Sequence, residues 1–383
     1  MANIRDKYMI SRYYKSGTYI IKKRFFMKKE MVIGIPRGMS FYNNYPFWYG
    51  FFTSLGIKIV LSDPTTKQTM SDGSALVVTE TCLPIKIYLG HILNLISKGV
   101  KDIFVPSLQS VAPKIYNCSK IRGLPDLVRN VIKADINIIE PTLDKSAKNG
   151  GLYTFLEEAV RPFGITKVED IKAASKQGWK VYNNFLVMVR SGMSYKKAMN
   201  YALQGKVFIE SNSNSAPINV ALVSHGYNIY DDRACMKIFE KLEKMDVKVF
   251  TSLQLTDEQM EEGIAALGQK RYWANEYEMT GTAGHYLKDN KIDGIVTLNA
   301  FGCGPDSLMV ERITRKAKEA GKPLLSLTID EHTGEAGFIT RLEAFIDMLY
   351  RKKRSKIINK ISMPEYDYVP QTNICDSLFV EKK

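Results

Sequence analysis

The 383-residue sequence predicts an α/β protein of two Rossmann-like domains, each built on a parallel sheet, with a helical insert between them. Three observations carry that reading. Short Val/Ile-rich runs alternate with longer stretches of helical period, the pattern of strands covered by crossover helices. The alternation stops between Leu152 and Leu203, where no strand pattern occurs, and resumes beyond the polar run Ser211–Ser215. A chain of this length, 45% hydrophobic and 11% aromatic, is enough for two packed cores and too much for one ordinary domain.

In the first half the expected strands are Val32–Ile35, Lys58–Leu61, Ala75–Thr79, Asp102–Val105 and Ile136–Ile139. Helices fill the gaps at Pro46–Leu55, Pro84–Ser97 and Leu124–Ala134. Pro84 suits a first helical turn, where a missing N–H costs nothing. Lys167–Val189 and Ser194–Leu203 read as helices of the insert. The second half expects strands near Asn219–Val223, Lys248–Thr251, Gly294–Asn299 and Pro323–Leu327. Between and after them lie helices near Asp232–Lys244, Asp257–Leu267, Pro305–Ala320 and Glu335–Arg351. Gly321 falls where a C-cap glycine belongs. The expected boundaries are a basic extension over 1–30, a first α/β domain over 31–145, the helical insert over 146–215, a second α/β domain over 216–348 and a basic tail over 349–383. Residues 1–30 precede the first strand, and Met27 offers a second initiator.

The formal charge of +14 suggests nucleic acid until it is located. Residues 1–30 hold nine Lys/Arg against two acidic groups, and residues 346–383 hold eight against five, so ten of the fourteen charges lie at the ends. The body is nearly balanced and lacks a basic stripe with interleaved aromatics, so no nucleic-acid partner is expected. No run of about 18 apolar residues and no secretory leader pattern occur, so no membrane association and a cytoplasmic location are expected. Neither Gly-x-Gly-x-x-Gly after a strand nor Gly-x-x-x-x-Gly-Lys-Ser/Thr is present, so nothing local argues for a nucleotide bound by this chain.

Open α/β sheets place ligands at the carboxyl ends of their strands. Three of the five cysteines fall there. Cys82 and Cys303 each follow an expected strand and precede a helix, while Cys118 lies in a longer loop. A thiolate is stabilised at a helix N-terminus by unpaired N–H groups and the dipole, and a metal stabilises it further. Glycines on both sides of Cys303 let the backbone approach a bulky inorganic group. Spacings of 36 and 185 residues match no local metal motif. At this point metal ligands and buried small hydrophobes both remain open as readings. Cys235 aligns with Ile238, Phe239 and Leu242 on an apolar helix face and reads as core; Cys375 lies in the polar tail.

Ile33-Gly34-Ile35-Pro36-Arg37-Gly38, Asn44-Tyr45-Pro46-Phe47-Trp48 and Glu80-Thr81-Cys82-Leu83-Pro84-Ile85-Lys86 with Gly90-His91 form one set of motifs. Ser224-His225-Gly226-Tyr227-Asn228, Phe301-Gly302-Cys303-Gly304-Pro305-Asp306-Ser307 and Asp330-Glu331-His332-Thr333-Gly334-Glu335 form another. Together, from about residue 31 to 348, they resemble the activase-related family of the 2-hydroxyacyl-CoA dehydratase and benzoyl-CoA reductase superfamily. The resemblance implies an iron-sulfur cluster, 4Fe-4S or double-cubane, with Cys82, Cys118 and Cys303 at the matching positions. It also implies low-potential electrons from a separate ATP-hydrolysing activase, a homodimer or a related second subunit, and an acyl-CoA substrate. Three thiolates leave one iron of a cubane without a cysteine. The chain lacks the activase's own ATP-binding blocks and any recognisable acyl-CoA pocket. A metal-free or zinc-containing binding protein and a scaffold or maturation partner of an activase are the alternative classes.

Four further residues are candidates for proton transfer or charge near the cluster: Glu80, Lys86, Glu331 and His332. Each has a bland counterpart. Lys86, one helical turn after Cys82, reads equally as an exposed helix lysine. Glu80 reads as a strand-end carboxylate. Glu331 and His332 sit at a helix entrance expected to be capped by Thr333, with Glu335 near the dipole's positive end. His91 and His225 read as hydrogen-bonded structural residues.

Overall fold

The structure, a computed structural model, describes residues 30–148, 150–209, 216–268 and 273–361, with side chains to 355. The basic extension up to residue 29, the boundary run Ser211–Ser215 and the tail from 362, with Cys375, lie outside the described residues. The chain divides into two compact units, Met1–Ser211 with Arg271–Asn275 and Asn212–Lys270 with Glu276–Lys383.

The first unit carries a four-stranded parallel sheet in the order β2-β1-β3-β6, from Lys58–Leu61, Val32–Ile35, Asp102–Phe104 and Asn137–Ile139. Helices α1 (Phe41–Ser54), α2 (Lys67–Ser74) and α3 (Leu83–Ser97) connect its first three strands. Alpha-helix α3 is apolar almost all round, and 11 of its 15 residues are buried, which marks a helix with no solvent face over most of its length. Aromatic side chains fill the space over the sheet: Trp48 stacks on Phe52 at 5.3 Å and meets Phe104 edge-on at 4.6 Å. A fully buried ring of this size contributes roughly 2–3 kcal/mol.

A second, three-stranded sheet in this unit was not legible in the sequence. It pairs β4 (Ser107–Ala112) antiparallel with β5 (Ile115–Tyr116) and parallel with β7 (Thr142–Asp144). The short helices α4 (Ser119–Arg122) and α5 (Leu124–Val131) follow β5. Helices α6 (Leu152–Val160), α7 (Val168–Arg190) and α8 (Tyr195–Leu203) also belong to this unit. There α7 packs on α1, with Phe47 and Trp179 4.9 Å apart.

The second unit repeats the strand order with its own four parallel strands, β9 (Val247–Phe250), β8 (Ile218–Val223), β10 (Gly294–Ala300) and β11 (Leu324–Ile329). In both units the first and third strands are neighbours, so the chain direction across the sheet reverses between them. That reversal is the place where open α/β sheets form a crevice. Helices α9 (Gly226–Ile229), α10 (Ile238–Lys244), α11 (Asp257–Ala266), α12 (Glu276–Lys288), α13 (Gly304–Glu319) and α14 (Glu335–Ile361) complete the unit. Its core joins Val223, Ile295, Met279, Ala283, Met309 and Ile313.

Several elements differ from the sequence expectation for identifiable reasons. Ala75–Thr79 is not a strand: α2 ends at Ser74 and a turn follows, with Val78 70% exposed. The capping box of Thr66 and Thr69 starts α2, and Gly73 lets it approach α3 so closely that a Cβ there would lie 1.7 Å from the Lys86 carbonyl. That contact fixes the segment as helix and leaves its apolar end in a turn. Helix α1 begins at Phe41 rather than Pro46. Proline leaves the Tyr42 carbonyl without its helical N–H, and the Tyr195 hydroxyl donates to it instead at 2.8 Å. The helix expected over Asp232–Lys244 is regular only from Ile238, because Met236 and Lys237 have φ of +51° and +56°.

Candidate functional site

All three candidate cysteines are helix N-caps. Cys82 precedes α3 with φ −62° and ψ 145°, Cys118 precedes α4 with φ −62° and ψ 155°, and Cys303 precedes α13 with φ −90° and ψ 101°. Each extended backbone turns its residue off the helix axis, and the first-turn N–H groups point back toward the N-terminus; the third of them donates to the cysteine carbonyl in α3 (Ile85 to Cys82, 3.1 Å) and in α4 (Ile121 to Cys118, 3.1 Å). Cys82 is buried, Cys118 and Cys303 are partly buried, and none is in a disulfide.

Within the first unit, both cysteine loops are held by specific contacts. The ammonium of Lys86 donates to the Thr79 carbonyl at 2.8 Å and so ties the turn before Cys82 to α3. Lys86 is only 2% exposed, so the exposed-lysine reading is corrected: the apolar surroundings of α3 leave no solvent side at that position. Glu80 is an exposed turn residue rather than a strand end; its own backbone N–H and then the Thr79 hydroxyl hold its carboxylate below the usual range. Its carbonyl accepts from Lys120 at 3.5 Å, which links the turn before Cys82 to the helix after Cys118. Asn117, buried, donates its side-chain amide to the Leu108 carbonyl at 2.8 Å, and Ser107 donates to the Arg122 carbonyl at 2.8 Å. The small sheet thereby fixes both flanks of Cys118.

His91, on α3, is fully buried with Nε2 2.9 Å from the Thr65 hydroxyl. Burial above all, then the Arg37 charge, pushes its pKa down to about 3, which keeps the ring neutral at physiological pH.

In the second unit the loops after β8 and β10 flank the reversal point. Ser224 donates its hydroxyl to the Leu298 carbonyl across it. Gly302, at φ +76°, makes the turn that a side chain would strain, and Gly304 has open space where a Cβ would stand. The result is an accessible Cys303 loop, with Phe301 60% and Leu308 61% exposed beside it.

His225 stands between two carboxylates in that unit. Its Nε2 lies 2.9 Å from Asp306 Oδ1 and its Nδ1 3.2 Å from Glu278 Oε2. Burial alone would disfavour the charged ring most strongly, but Asp306, by charge and hydrogen bond, and then Glu278 outweigh it and push the pKa up to about 10. Glu278 also accepts from the Gly226 N–H at 3.2 Å and the Ser252 hydroxyl at 3.1 Å. No local pattern marks this arrangement, because helix α12, which supplies Glu278, is rich in Thr and Gly and has no clear apolar period.

Other candidates are less enclosed. His332 has an 86% exposed side chain 3.9 Å from Glu331, whose side chain is 17% exposed. Thr333 is not the cap expected of it: α14 starts at Glu335, and the Thr333 hydroxyl donates to Asp330 at 2.6 Å. Cys235 is fully buried, as expected of a core residue, though in the turns before α10 rather than on a helix face, and burial pushes its thiol up to about 12.

Each of the three cysteines stands at a helix N-terminus, where a thiolate is stabilised and a thiophilic group is suited: Cys82 and Cys118 in the first unit, Cys303 in the second. Among the described residues, no three His, Cys, Asp or Glu side chains stand together as a ready-made metal site. No helix among the described residues is long and apolar enough to cross a membrane.

Two family models match. That of the CoA enzyme activase uncharacterised domain matches residues 32–255, more than half of the chain and including Cys82, Cys118 and His225. That of the 2-hydroxyglutaryl-CoA dehydratase D-component matches residues 184–349, including His225 and Cys303. Both support the 2-hydroxyacyl-CoA dehydratase superfamily. No curated protein matches the chain.

Proposed function

We propose that this chain, which belongs to the family of the CoA enzyme activase uncharacterised domain, is an iron-sulfur redox protein that takes low-potential electrons from an ATP-hydrolysing activase. The observation that carries the proposal is the common placement of Cys82, Cys118 and Cys303 as N-caps of three helices. A helix N-terminus stabilises a thiolate and offers N–H groups to inorganic sulfide, which is what an anionic cluster requires.

These three cysteines would hold the cluster, either a 4Fe-4S centre or a double-cubane form. When bound, the cluster supplies one-electron chemistry, at potentials that reach about −700 mV for such centres. The chain's own contribution is positioning. Lys86 fixes the turn before Cys82 through the Thr79 carbonyl, the small sheet fixes Cys118, and Gly302 and Gly304 keep the Cys303 loop open. Acyl-CoA dehydration, or a related reduction, is the reaction in which the electron would be used or relayed. Glu80, Glu331 and His332 are exposed or part-exposed groups available to a substrate or partner.

A second reading, a non-catalytic scaffold for an activase, is supported by the match to the CoA enzyme activase uncharacterised domain over residues 32–255. The two are separated by reduction of the anaerobically reconstituted protein with a 2-hydroxyacyl-CoA dehydratase activase and ATP, followed by visible and electron paramagnetic resonance spectra. ATP-dependent bleaching with a reduced-cluster signal is expected. A complex that forms without any cluster signal would establish the scaffold and overturn the redox reading.

A further inference from the structure

His225 occupies an unusual position for a histidine that no motif assigns a task. It follows β8, is 1% exposed, and presents both ring nitrogens to carboxylates, Asp306 at 2.9 Å and Glu278 at 3.2 Å. An ionised carboxylate only accepts, so two such neighbours require both ring nitrogens to donate, which only the imidazolium does. Asp306 is the third residue of α13, three positions after Cys303, and is 1% exposed. Its second oxygen, Oδ2, is buried with no hydrogen-bonding partner among the described residues. The Asp306 carboxylate is thus held from one side, by His225. Tyr227 covers the imidazole face with ring centroids 5.0 Å apart.

We propose that His225 is a positioning residue for the Cys303 site: its buried imidazolium clamps Asp306, fixes the first turn of α13 and offsets part of the negative charge that Asp306 and Glu278 would otherwise bring to that turn. The inference rests on the cluster reading for its electrostatic half and on the geometry of α13 alone for its mechanical half. The anchoring runs through one ion pair. Removing one partner of a buried pair leaves the other charge uncompensated, so the loop has no neutral alternative in which to rest. Glu278 completes the clamp from α12, where Ser252 and the Gly226 N–H hold it in turn.

The test compares His225→Gln, Asp306→Asn and Glu278→Gln with the wild type. In the anaerobically reconstituted chain, the midpoint potential is read by spectroelectrochemical titration. Loss of the positive charge in His225→Gln is expected to make the potential more negative, and loss of a negative charge in the other two variants to make it more positive. A merely structural role moves all three alike, so shifts of one sign, or none in variants that keep their iron, would overturn the electrostatic half.

The mechanical half is read in iron-free chain by the rate of Cys303 alkylation with iodoacetamide, measured by peptide mass spectrometry against Cys118 as internal reference. A several-fold rise in the Cys303 to Cys118 ratio is expected in His225→Gln and Asp306→Asn, and an unchanged ratio would refute the clamp. This second arm stands even if the wild type takes up no iron, which would sink the cluster reading alone. If His225→Gln does not fold, Glu278→Gln, at a side chain still 16% exposed, carries both readouts.

Discussion

Replacing His225 with Gln should remove a pH dependence from the stability of the second unit. The folded pKa of about 10 lies above the unfolded value of 6.5, so the native state binds one more proton than the unfolded state between those limits. The stabilisation is therefore complete below pH 6.5 and is lost as pH rises through 10. At 1.36 kcal/mol per pKa unit it amounts to roughly 5 kcal/mol, with a slope of about 1.4 kcal/mol per pH unit across the window. The group is wholly buried, so solvent screening takes little from this figure. Intrinsic fluorescence is the wrong probe, because all three tryptophans, Trp48, Trp179 and Trp273, lie in the first unit. Denaturant titrations at pH 7, 8 and 9, read by hydrogen exchange of peptides spanning β8 and β10, report on the second unit directly. The wild type should lose stability relative to His225→Gln at each step upward, so that the two converge near pH 10. Parallel pH profiles would refute the imidazolium and, with it, the clamp.

Four further outcomes follow from the geometry. His91, neutral with a pKa of about 3, should make the first unit lose stability as pH falls from 6.5 toward 3, and His91→Gln should flatten that acid limb in circular-dichroism melts. Gly90→Ala would put a Cβ 1.9 Å from the Thr69 carbonyl, so a loss of about 1–3 kcal/mol in urea denaturation is expected, with α2 displaced from α3. Lys86→Met keeps the volume of the buried stem while removing the bond to the Thr79 carbonyl; retained melting temperature with lower reconstituted iron is the expected result. Cys235→Ala should cost about 1 kcal/mol of stability and leave iron content unchanged, since that thiol packs in the core.

The α/β class and all eight strands of the two four-stranded parallel sheets were legible because buried parallel strands read as short Val/Ile runs with long helical stretches between them. Val32–Ile35 and Lys58–Leu61 occur at their expected bounds. The misses have local causes. Ala75–Thr79 has strand composition, but the Gly73–Lys86 approach fixes the preceding segment as helix. The sheet of β4, β5 and β7 is short and mixed, so its six-, two- and three-residue strands carry too few alternations to be seen. At the candidate site, sequence placed Cys82 and Cys303 correctly before helices and left Cys118 in a loop, because the four-residue helix after it has no period to detect. The burial of Lys86 and the pairing of His225 with Asp306 and Glu278, 81 and 53 residues away, are tertiary facts with no local signature.

The central claim is that Cys82, Cys118 and Cys303 hold one cluster, and iron with acid-labile sulfide per chain is its most direct test. The measurement is made after anaerobic purification, for the wild type and for Cys82→Ala, Cys118→Ala and Cys303→Ala. About four iron and as much sulfide are predicted in the wild type, with loss in each of the three variants. Iron-free wild-type protein after anaerobic reconstitution, or iron retained in all three variants, would contradict the claim.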